Sequence, residues 1–405
     1  METVKKKILI LGAGDAQLNL IESAQKLNYY TIVCDMRSAM KGSKIADKYY
    51  QEDYMDREAV LKIAYEEKID GVISNSESAM KIVSYLVEKL GLPGNSMKSI
   101  ENLQSKSLFR ALQKQVGLFS PNSFSATSAA EALAYAKIMR FPIIIKPSEC
   151  SGSRGATRID NFSKKDIIDT FKICQDFSRN DLVTMEEYVE MESLEVINAD
   201  VFVVGDEIIW DGWYGGLRSI KYPMIPMAKV LPPNLPETRK TKVINDVNIL
   251  LKASGVRLGE FNVETFFTMS GELFIIEINA RQAGDDIPNL IKEHTGVDLT
   301  RLLVSLTVDD RSYYNYLKTY KRKNDYITLQ VVFSDKSGRY EGLYIDDRIR
   351  PFIKWVNEFC IKGEQVYAAR NAEDSVAYVG LKFNTLEEQE YFTIKIEDHI
   401  KVIVK

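Results

Sequence analysis

Two periods of apolar spacing alternate over the first hundred residues of the chain. Short apolar runs typical of buried strands occur at 8–11, 31–34 and 70–74. Between the first two runs and after the third, up to Leu90, apolar residues recur every three to four positions, which predicts helices. Strands that alternate with helices indicate a parallel, doubly wound sheet, so we predict a Rossmann-like N-terminal domain. Ligands of such sheets bind at the carboxyl ends of the strands.

Beyond the first hundred residues the pattern becomes mixed. A helix predicted over 106–116 ends at a Gly- and Pro-containing segment, and this places a domain boundary near residue 115. Strands and helices then mix up to about residue 310, and strands separated by helices fill the tail. We therefore predict three domains, in line with a prior of roughly two to three for 405 residues. Their bounds are 1–115 (Rossmann-like), 116–310 (mixed) and 311–405 (small α+β).

Composition narrows the function classes. The 57 acidic and 53 basic residues are interspersed and the net charge is −4, so a nucleic-acid surface is not expected. Four cysteines without a CxxC pair favour reduced thiols and a cytoplasmic protein. The first apolar run is too short for a signal peptide, and no run approaches the length of a membrane span. Two histidines argue against a histidine-based metal site or catalytic triad.

The segment 261–281 predicts a β-hairpin that carries two facing carboxylates. Its turn signal, Ser270 and Gly271, lies between two β-rich runs. Folding the hairpin symmetrically at this turn places Glu264 opposite Glu277. Two carboxylates that face each other repel unless a cation lies between them, and hard oxygen ligands select Mg²⁺. The hairpin is therefore a candidate metal site.

Side-chain alternation along the second strand assigns its residues to two faces. The polar face is expected to hold Glu277, Asn279 and Arg281, with Asn279 opposite Asn262. The other face, toward a core, is expected to hold Phe274, Ile276 and Ile278. A half-exposed sheet face with a surface ion pair between Glu277 and Arg281 remains the alternative for each single residue.

A strand-terminal lysine, Lys146, precedes a loop of small and basic residues. Small residues let backbone N–H groups approach an anion closely, and the cationic side chains would add charge. The loop lacks the GK[ST] ending of a P-loop, and a solvated loop is the alternative. Its residues are Ser151, Gly152, Ser153, Arg154 and Gly155.

In this order, the motifs resemble the ATP-grasp superfamily over roughly residues 5–400. The resemblance is to the carboxylate–amine ligase branch, which includes L-amino acid ligases and relatives of biotin carboxylase and carbamoyl phosphate synthetase. The matched segments are Ser105 and Lys106 with Arg110, then 117–121, 141–147, 151–155, 185–189, Glu264 and 277–281.

The resemblance implies an ATP-grasp fold for the central domain, with a mobile lid at about 120–185. It implies that Lys106 and Lys146 contact ATP phosphates and that the loop 151–155 closes over them. Adenine would lie against the segment that contains Glu186, Glu187 and Val189, with backbone groups of the last two facing the base. Glu195 is the candidate for the ribose hydroxyls, and Glu192 competes with it.

The resemblance also implies the chemistry of the hairpin. Glu264, Glu277 and Asn279 would hold one or two Mg²⁺ ions, with Mn²⁺ as an alternative. Arg281 would be catalytic and stabilise the transferring phosphoryl group. The implied activity is ATP-dependent ligation, in which a carboxylate becomes an acyl phosphate and an amine displaces phosphate.

The expected partners are a small-molecule carboxylate and an amine, without nucleic acid or membrane, and a homodimer is compatible with the pattern. No residue is assigned as general base. Arg218 and Lys221 are candidates for recognising the carboxylate, and Asp285 and Asp286 for the amine; solvated loops are the alternative for both pairs.

Two other functions compete with the ligase. Gly12 and Gly14, with Asp35 21 residues further on, imitate a dinucleotide fingerprint and would suit an NAD-dependent dehydrogenase. Gln17 replaces the third glycine of that fingerprint, which weakens it. The second competitor is a non-catalytic nucleotide-binding protein, which the intact hairpin set disfavours.

Overall fold

A parallel four-stranded sheet begins the chain in this computed structural model, which describes residues 5–150, 155–219, 225–369 and 374–405. The strands are parallel, as predicted, in the order β3-β2-β1-β4, and β3 is a strand that was not predicted. Side chains 8–11 of the central strand are fully buried, because helices cover both faces. The strands are β1 (Lys7–Leu11), β2 (Tyr30–Cys34), β3 (Lys48–Tyr50) and β4 (Gly71–Ile73). The helices are α1 (Asp15–Lys26), α2 (Lys41–Ile45), α3 (Arg57–Glu67) and α4 (Met80–Leu90), followed by α5 (Met97–Gln104) and α6 (Lys106–Gln115).

A small antiparallel sheet with its own apolar core follows α6. Its strand order is β5-β8-β6-β7, and two helices pack on it. The strands are β5 (Ser123–Ala126), β6 (Ile143–Pro147), β7 (Thr157–Ile159) and β8 (Val183–Glu187), and the helices are α7 (Ala129–Ala136) and α8 (Lys164–Phe177). These elements fall within the segment predicted to form a lid.

The rest of the chain builds one large antiparallel sheet and one small one. The strands are β9 (Glu195–Val204), β10 (Glu207–Arg218), β11 (Pro226–Leu231), β12 (Leu258–Phe267), β13 (Leu273–Asn279), β14 (Tyr326–Phe333), β15 (Gly338–Ile345), β16 (Ile353–Glu358), β17 (Gln365–Val366), β18 (Ser375–Phe383) and β19 (Ile400–Val404). The large sheet has the order β13-β12-β9-β10-β11-β14-β18-β16, and the small one has the order β17-β15-β19. The helices are α9 (Glu237–Ser254), α10 (Ile287–Thr295), α11 (Leu299–Thr307), α12 (Ser312–Leu317), α13 (Leu386–Ile394) and α14 (Ile396–His399).

The large sheet continues across the boundary predicted near residue 310. Strand β14 pairs with β11, and β18 pairs with β14, so the tail of the chain hydrogen-bonds directly to the central region. The mixed fold class is confirmed, while the division into three domains stays a prediction.

The two faces of the large sheet pack against different layers. One face shares a core with α5, α6 and α9. The other face packs on α10, α11 and α12 and, through them, on the N-terminal sheet. In the described part of the chain, none of the helices combines the length and apolarity needed to cross a bilayer.

The N-terminal sheet meets α11 so closely at Gly71 that no side chain fits there. A Cβ at this position would lie 2.2 Å from the carbonyl oxygen of Thr307. We expect Gly71→Ala to lower the free energy of unfolding by about 1–3 kcal/mol, since backbone rather than a flexible side chain would have to move. Urea unfolding measures this change. Gly284→Ala is the matched control, because a Cβ there meets nothing within 4 Å; equal stability of the two variants would contradict the packing.

Candidate active site

A cavity of about 650 Å³ lies between the small sheet, the start of α6 and the β12–β13 hairpin. Eight of the residues predicted for the site line it, and they come from four separate parts of the chain. They are Lys106, Lys146, Glu186, Glu187, Val189, Glu264, Glu277 and Arg281. The cavity therefore brings together most of the predicted constellation.

The hairpin has the predicted pairing. Glu264 is opposite Glu277, and Asn262 is opposite Asn279. A β-bulge beyond Glu264 was not predicted, and it adds Ile276 to the second strand without a partner on the first.

The bulge corrects the predicted faces of β13. Phe274 and Ile276 line the cavity together with Glu277, whereas Ile275 and Ile278 belong to the core. The prediction was right for Ile278 and wrong for the other two apolar residues. Strict alternation fails here because the extra residue shifts the strand by one position.

Burial makes the facing carboxylates electrostatically unequal. Burial and the charge of Glu277 raise the pKa of Glu264. Burial would also raise the pKa of Glu277, but Lys106, the Asn279 side chain and other nearby cations lower it. The amide nitrogen of Asn279 donates to Oε1 of Glu277 at 2.8 Å. The charged form of Glu277 is therefore stabilised by its neighbours, whereas the charged form of Glu264 would need a further positive charge nearby.

Arg110, which sequence analysis matched without a role, joins the small sheet to the hairpin. Its Nε donates to Oε1 of Glu186 at 2.8 Å, and Nη2 donates to the carbonyl of Ile276 at 2.9 Å. Nη1 reaches the carbonyl of Ile275 at 3.3 Å, and Gln113 donates to the same oxygen at 2.8 Å. These donors satisfy backbone oxygens of an edge strand at the bulge. The sequence held one indication of this role: Arg110 and Gln113 are three residues apart in a predicted helix, so they lie on the same side of it, next to the apolar Phe109.

Two lysines approach the cavity from different elements. Lys146, at the end of β6, forms an ion pair with Oε2 of Glu186 at 2.5 Å. Burial lowers the pKa of Lys146, while Glu186 opposes this effect. Lys106 opens α6, and its Nζ lies 3.5 Å from the carbonyl oxygen of Cys150. Both cations lower the pKa of Glu277, one member of the carboxylate pair.

The segment after β8 presents backbone groups to the cavity. Tyr188 N–H donates to the carbonyl of Pro142, and the Glu187 carboxylate accepts from Arg140 N–H at 3.1 Å. The N–H of Val189 has no partner among the described residues. A backbone donor of a cavity-lining residue is the kind of group that can pair with the edge of a planar base.

The structure does not bring Glu195 to this cavity. Glu192 lines the cavity instead, and its carboxylate accepts from Nη2 of Arg239 at 2.7 Å. Glu195 lies three positions before Asn198, the β9 partner of Glu264. An odd spacing along a regular strand puts Glu195 on the opposite face of the sheet.

Part of the predicted loop lies outside the described residues, namely Ser151, Gly152, Ser153 and Arg154, and so does Lys221. Gly155 is described and adopts a φ of +75°. Arg218 lines the cavity, whereas Asp285 accepts from the Tyr378 hydroxyl at 3.3 Å and Asp286 precedes α10.

A buried acidic pair behind the hairpin holds the loop that carries Arg281. Asp200 accepts from Ala283 N–H at 3.1 Å, and Glu260 accepts from the Gln282 amide at 2.6 Å. Burial and the neighbouring Asp200 raise the pKa of Glu260 well above its ordinary value. Together these contacts anchor the two residues that follow Arg281.

The glycine loop of the N-terminal sheet is closed by its own side chains. Asp35 accepts from Ala13 N–H and from Nη2 of Arg37, both at 2.8 Å. Gln17 packs so closely on Gly12 that a Cβ there would lie 3.1 Å from it. The carboxylate that would read a ribose is thus already engaged, which argues against the dehydrogenase hypothesis.

The raised pKa of Glu264 predicts how Glu264→Gln changes stability with pH. The folded parent keeps this proton to a higher pH than the unfolded chain, so the parent loses stability as pH rises above about 4. Glutamine cannot ionise. We expect the variant to be at least as stable as the parent at pH 7, with the difference vanishing below about pH 4.

Urea unfolding between these pH values measures the effect. Glu272→Gln, at the exposed hairpin turn, is the matched control and should follow the parent. A Glu264→Gln variant that is less stable than the parent at pH 7 would contradict the electrostatic assignment.

Comparison with known proteins adds a family model and several relatives. The model of the carbamoyl-phosphate synthase L chain, ATP binding domain, matches residues 105–207. The carbamoyl phosphate synthase large chain of Thermotoga petrophila is 28% identical over 325 residues, which is 75% of this chain and 28% of that protein. The corresponding chain of Clostridium beijerinckii is 25% identical over 306 residues, or 71% and 28% of the two lengths. The match thus spans little more than a quarter of these curated relatives.

Solved structures match over nearly the whole chain. The L-amino acid ligase of Bacillus licheniformis superimposes with a TM-score of 0.80 at 18% identity, covering 99% of both chains. The phosphoribosylglycinamide synthetase of Anaerococcus prevotii has a TM-score of 0.73 at 19% identity, covering 99% of this chain and 100% of that one. The biotin carboxylase domain of the Hydrogenobacter thermophilus 2-oxoglutarate carboxylase, solved with MgADP and bicarbonate, has a TM-score of 0.68 at 18% identity, covering 100% and 92%.

Identities this low establish the fold alone, and the family model adds a similarity confined to residues 105–207. Both agree with the order of motifs along the sequence. The chain therefore has the ATP-grasp fold, and its residues 105–207 are similar to the ATP binding domain of the carbamoyl-phosphate synthase L chain.

Proposed function

We propose that this protein is an ATP-dependent ligase that activates a carboxylate as an acyl phosphate and joins it to an amine, releasing ADP and phosphate. The observation that carries the proposal is one cavity in which the facing pair Glu264 and Glu277 meets Lys106, Lys146 and Arg281. Negative and positive side chains placed side by side suit a ligand that combines a metal ion with a polyphosphate. A site with charges of only one sign would not suit such a ligand.

The donor set of the hairpin fits Mg²⁺, with Mn²⁺ as an alternative. Among the described residues, no group of three or more His, Cys, Asp and Glu is arranged to hold a metal ion. Two carboxylates and the Asn279 amide oxygen would therefore leave coordination positions for phosphate oxygens, which is how Mg²⁺ usually binds nucleotides. One or two bound ions would supply the positive charge that the raised pKa of Glu264 indicates is needed.

The remaining groups supply the nucleotide contacts. Val189 N–H and the carbonyl of Glu187 would face adenine, and Glu192, rather than Glu195, would face the ribose hydroxyls. A cavity of about 650 Å³ falls within the usual range of small-molecule sites. Lys106 and Lys146 would neutralise phosphate oxygens from two sides.

The ligation would proceed by two displacements at this site. A carboxylate oxygen attacks the γ-phosphorus and ADP leaves; the amine nitrogen then attacks the acyl carbon, phosphate leaves and a proton is released. Arg281 would stabilise the transferring phosphoryl group, held in position by Ala283 and Gln282 on the buried acids.

We expect Lys146→Ala to weaken Mg-ATP binding by about 1.5–3 kcal/mol, the range of a charge-assisted contact. The fold should survive, because Glu186 keeps its ion pair with Arg110. Calorimetric titration of the folded variant measures the loss. Lys137→Ala, an exposed lysine in the same small sheet layer, is the control and should bind like the parent. Unchanged affinity in Lys146→Ala would remove this lysine from the site.

Screening ADP formation against carboxylate and amine pairs tests the ligase itself. With a pair that the parent turns over, Glu277→Gln should lose most activity at saturating Mg²⁺, since it removes one charge from the metal site and keeps the shape. Glu272→Gln, in the same hairpin but exposed, should stay active. Full activity of Glu277→Gln would defeat the metal assignment, and ATP binding without turnover of any pair would favour a non-catalytic nucleotide-binding protein.

A further inference from the structure

A second cavity, of about 710 Å³, lies on the other side of the large sheet from the Glu264–Glu277 pair. It is enclosed by β10, β11, the start of the loop after β11 and helices α13 and α14. Leu194 and Arg218 line both cavities, so the two are neighbours at the end of β10. Its wall is largely apolar, with Leu217, Met227, Val230, Leu386 and Ile396.

Glu195 is an isolated carboxyl in this apolar wall. Its one hydrogen bond among the described residues is a long one, 3.3 Å, from Asn234 N–H to Oε1. Among the described residues, no cation contributes to the pKa of Glu195, which only burial and the hydrogen bond from Asn234 N–H shift. Burial raises the pKa of Glu195 to about 7. A charged carboxylate here would gain from a cation that comes from outside the chain.

Gly215 makes the room that this carboxyl needs. A Cβ at Gly215 would lie 2.3 Å from Oε1 of Glu195 and 3.5 Å from Cα of Pro233. The backbone of β10 therefore leaves a recess in which the carboxyl group rests. A methyl group would displace the flexible end of Glu195 rather than the backbone.

Gln389 provides a second acceptor beside the cavity. Its side chain is fully buried, and Nε2 donates to the carbonyls of Leu231 and Ile327 at 3.1 and 2.9 Å. Its Oε1 has no hydrogen-bond partner among the described residues. Buried polar atoms are rarely left unpaired, so this oxygen is an unsatisfied acceptor in the wall behind the cavity.

The charge at the rim has the same sign. The exposed carboxylates Glu390, Glu397 and Asp398 border the cavity, against two cations, Lys395 between α13 and α14 and Arg218 at the end of β10. Such a rim attracts cations and disfavours anions. The cavity thus combines the Glu195 carboxyl, an unpaired acceptor, an acidic rim and an apolar wall. These features are complementary to a ligand that has a cationic group and a hydrocarbon part.

We propose that this second cavity binds a primary amine in its ammonium form, with Glu195 as its counter-ion and the apolar wall around its hydrocarbon part. This binding does not depend on the ligase proposal, because it requires neither nucleotide nor turnover. It would give the protein an amine site on the sheet face opposite the metal-binding hairpin.

Calorimetry without nucleotide, at about pH 8.5, tests the proposal with three probes of equal chain length: n-hexylammonium, 1-hexanol and hexanoate. At this pH the amine is still protonated and Glu195 is ionised. We expect n-hexylammonium to bind at least roughly tenfold more tightly than the alcohol or the acid, as a charge-assisted contact implies. Equal binding of the three probes, or no binding by the parent, would overturn the proposal.

Three variants locate the site. Glu195→Gln should weaken n-hexylammonium binding by roughly tenfold and leave 1-hexanol binding unchanged. Gly215→Ala keeps the charge but displaces the carboxyl, so it should weaken amine binding as well. Glu192→Gln removes the same charge three residues away, in the wall of the first cavity. This control variant should bind n-hexylammonium like the parent. Thermal unfolding checks that each variant is folded, and parent-like amine binding in both Glu195→Gln and Gly215→Ala would refute the assignment.

Discussion

The buried guanidinium of Arg110 is the interaction on which the active-site cavity depends. It binds Glu186 in the small sheet and the carbonyls of Ile275 and Ile276 in the large one. Because one rigid, planar group spans both sheets, it sets the distance between them and therefore the width of the cavity. Losing one partner of such a buried network typically costs about 3–5 kcal/mol, since the other charge is left unpaired. The same contact also fixes the bulge that turns Ile276 toward the cavity.

Several charged side chains are buried near Arg110, although burying charge lowers the stability of the folded protein. Glu186 holds Lys146 in position although burial works against the charge of the lysine. Glu264 and Glu277 face each other in a buried setting that raises the pKa of Glu264. Groups arranged at a cost to the apo protein are expected where a ligand later supplies the missing charge. The cavity is thus prepared for a ligand that carries both cation and anion.

Alternation along one strand separates the two cavities. Strand β9 directs Asn198 toward Glu264, and it directs Glu195 to the opposite face. Gly215 of the neighbouring strand leaves the recess in which the Glu195 carboxyl rests. The proposed nucleotide site and the proposed amine site can therefore share one sheet, with Arg218 bordering both.

Local information in the sequence determined strands β1, β2 and β4 of the N-terminal sheet, helices α1 and α4, and the pairing of Glu264 with Glu277, whereas it missed β3, α2 and α3. Hairpin register follows from the position of its turn, and buried parallel strands show as unbroken apolar runs. Only the tertiary structure decided three further points: the bulge at Ile276, the face taken by Glu195, and the extension of the large sheet past residue 310. Each depends on partners far along the chain. Arg110 meets the hairpin carbonyls across 165 and 166 residues, and strand β11 pairs with β14 about a hundred residues later. No local pattern contains that information, because such contacts are selected by packing and by the need to satisfy buried backbone groups.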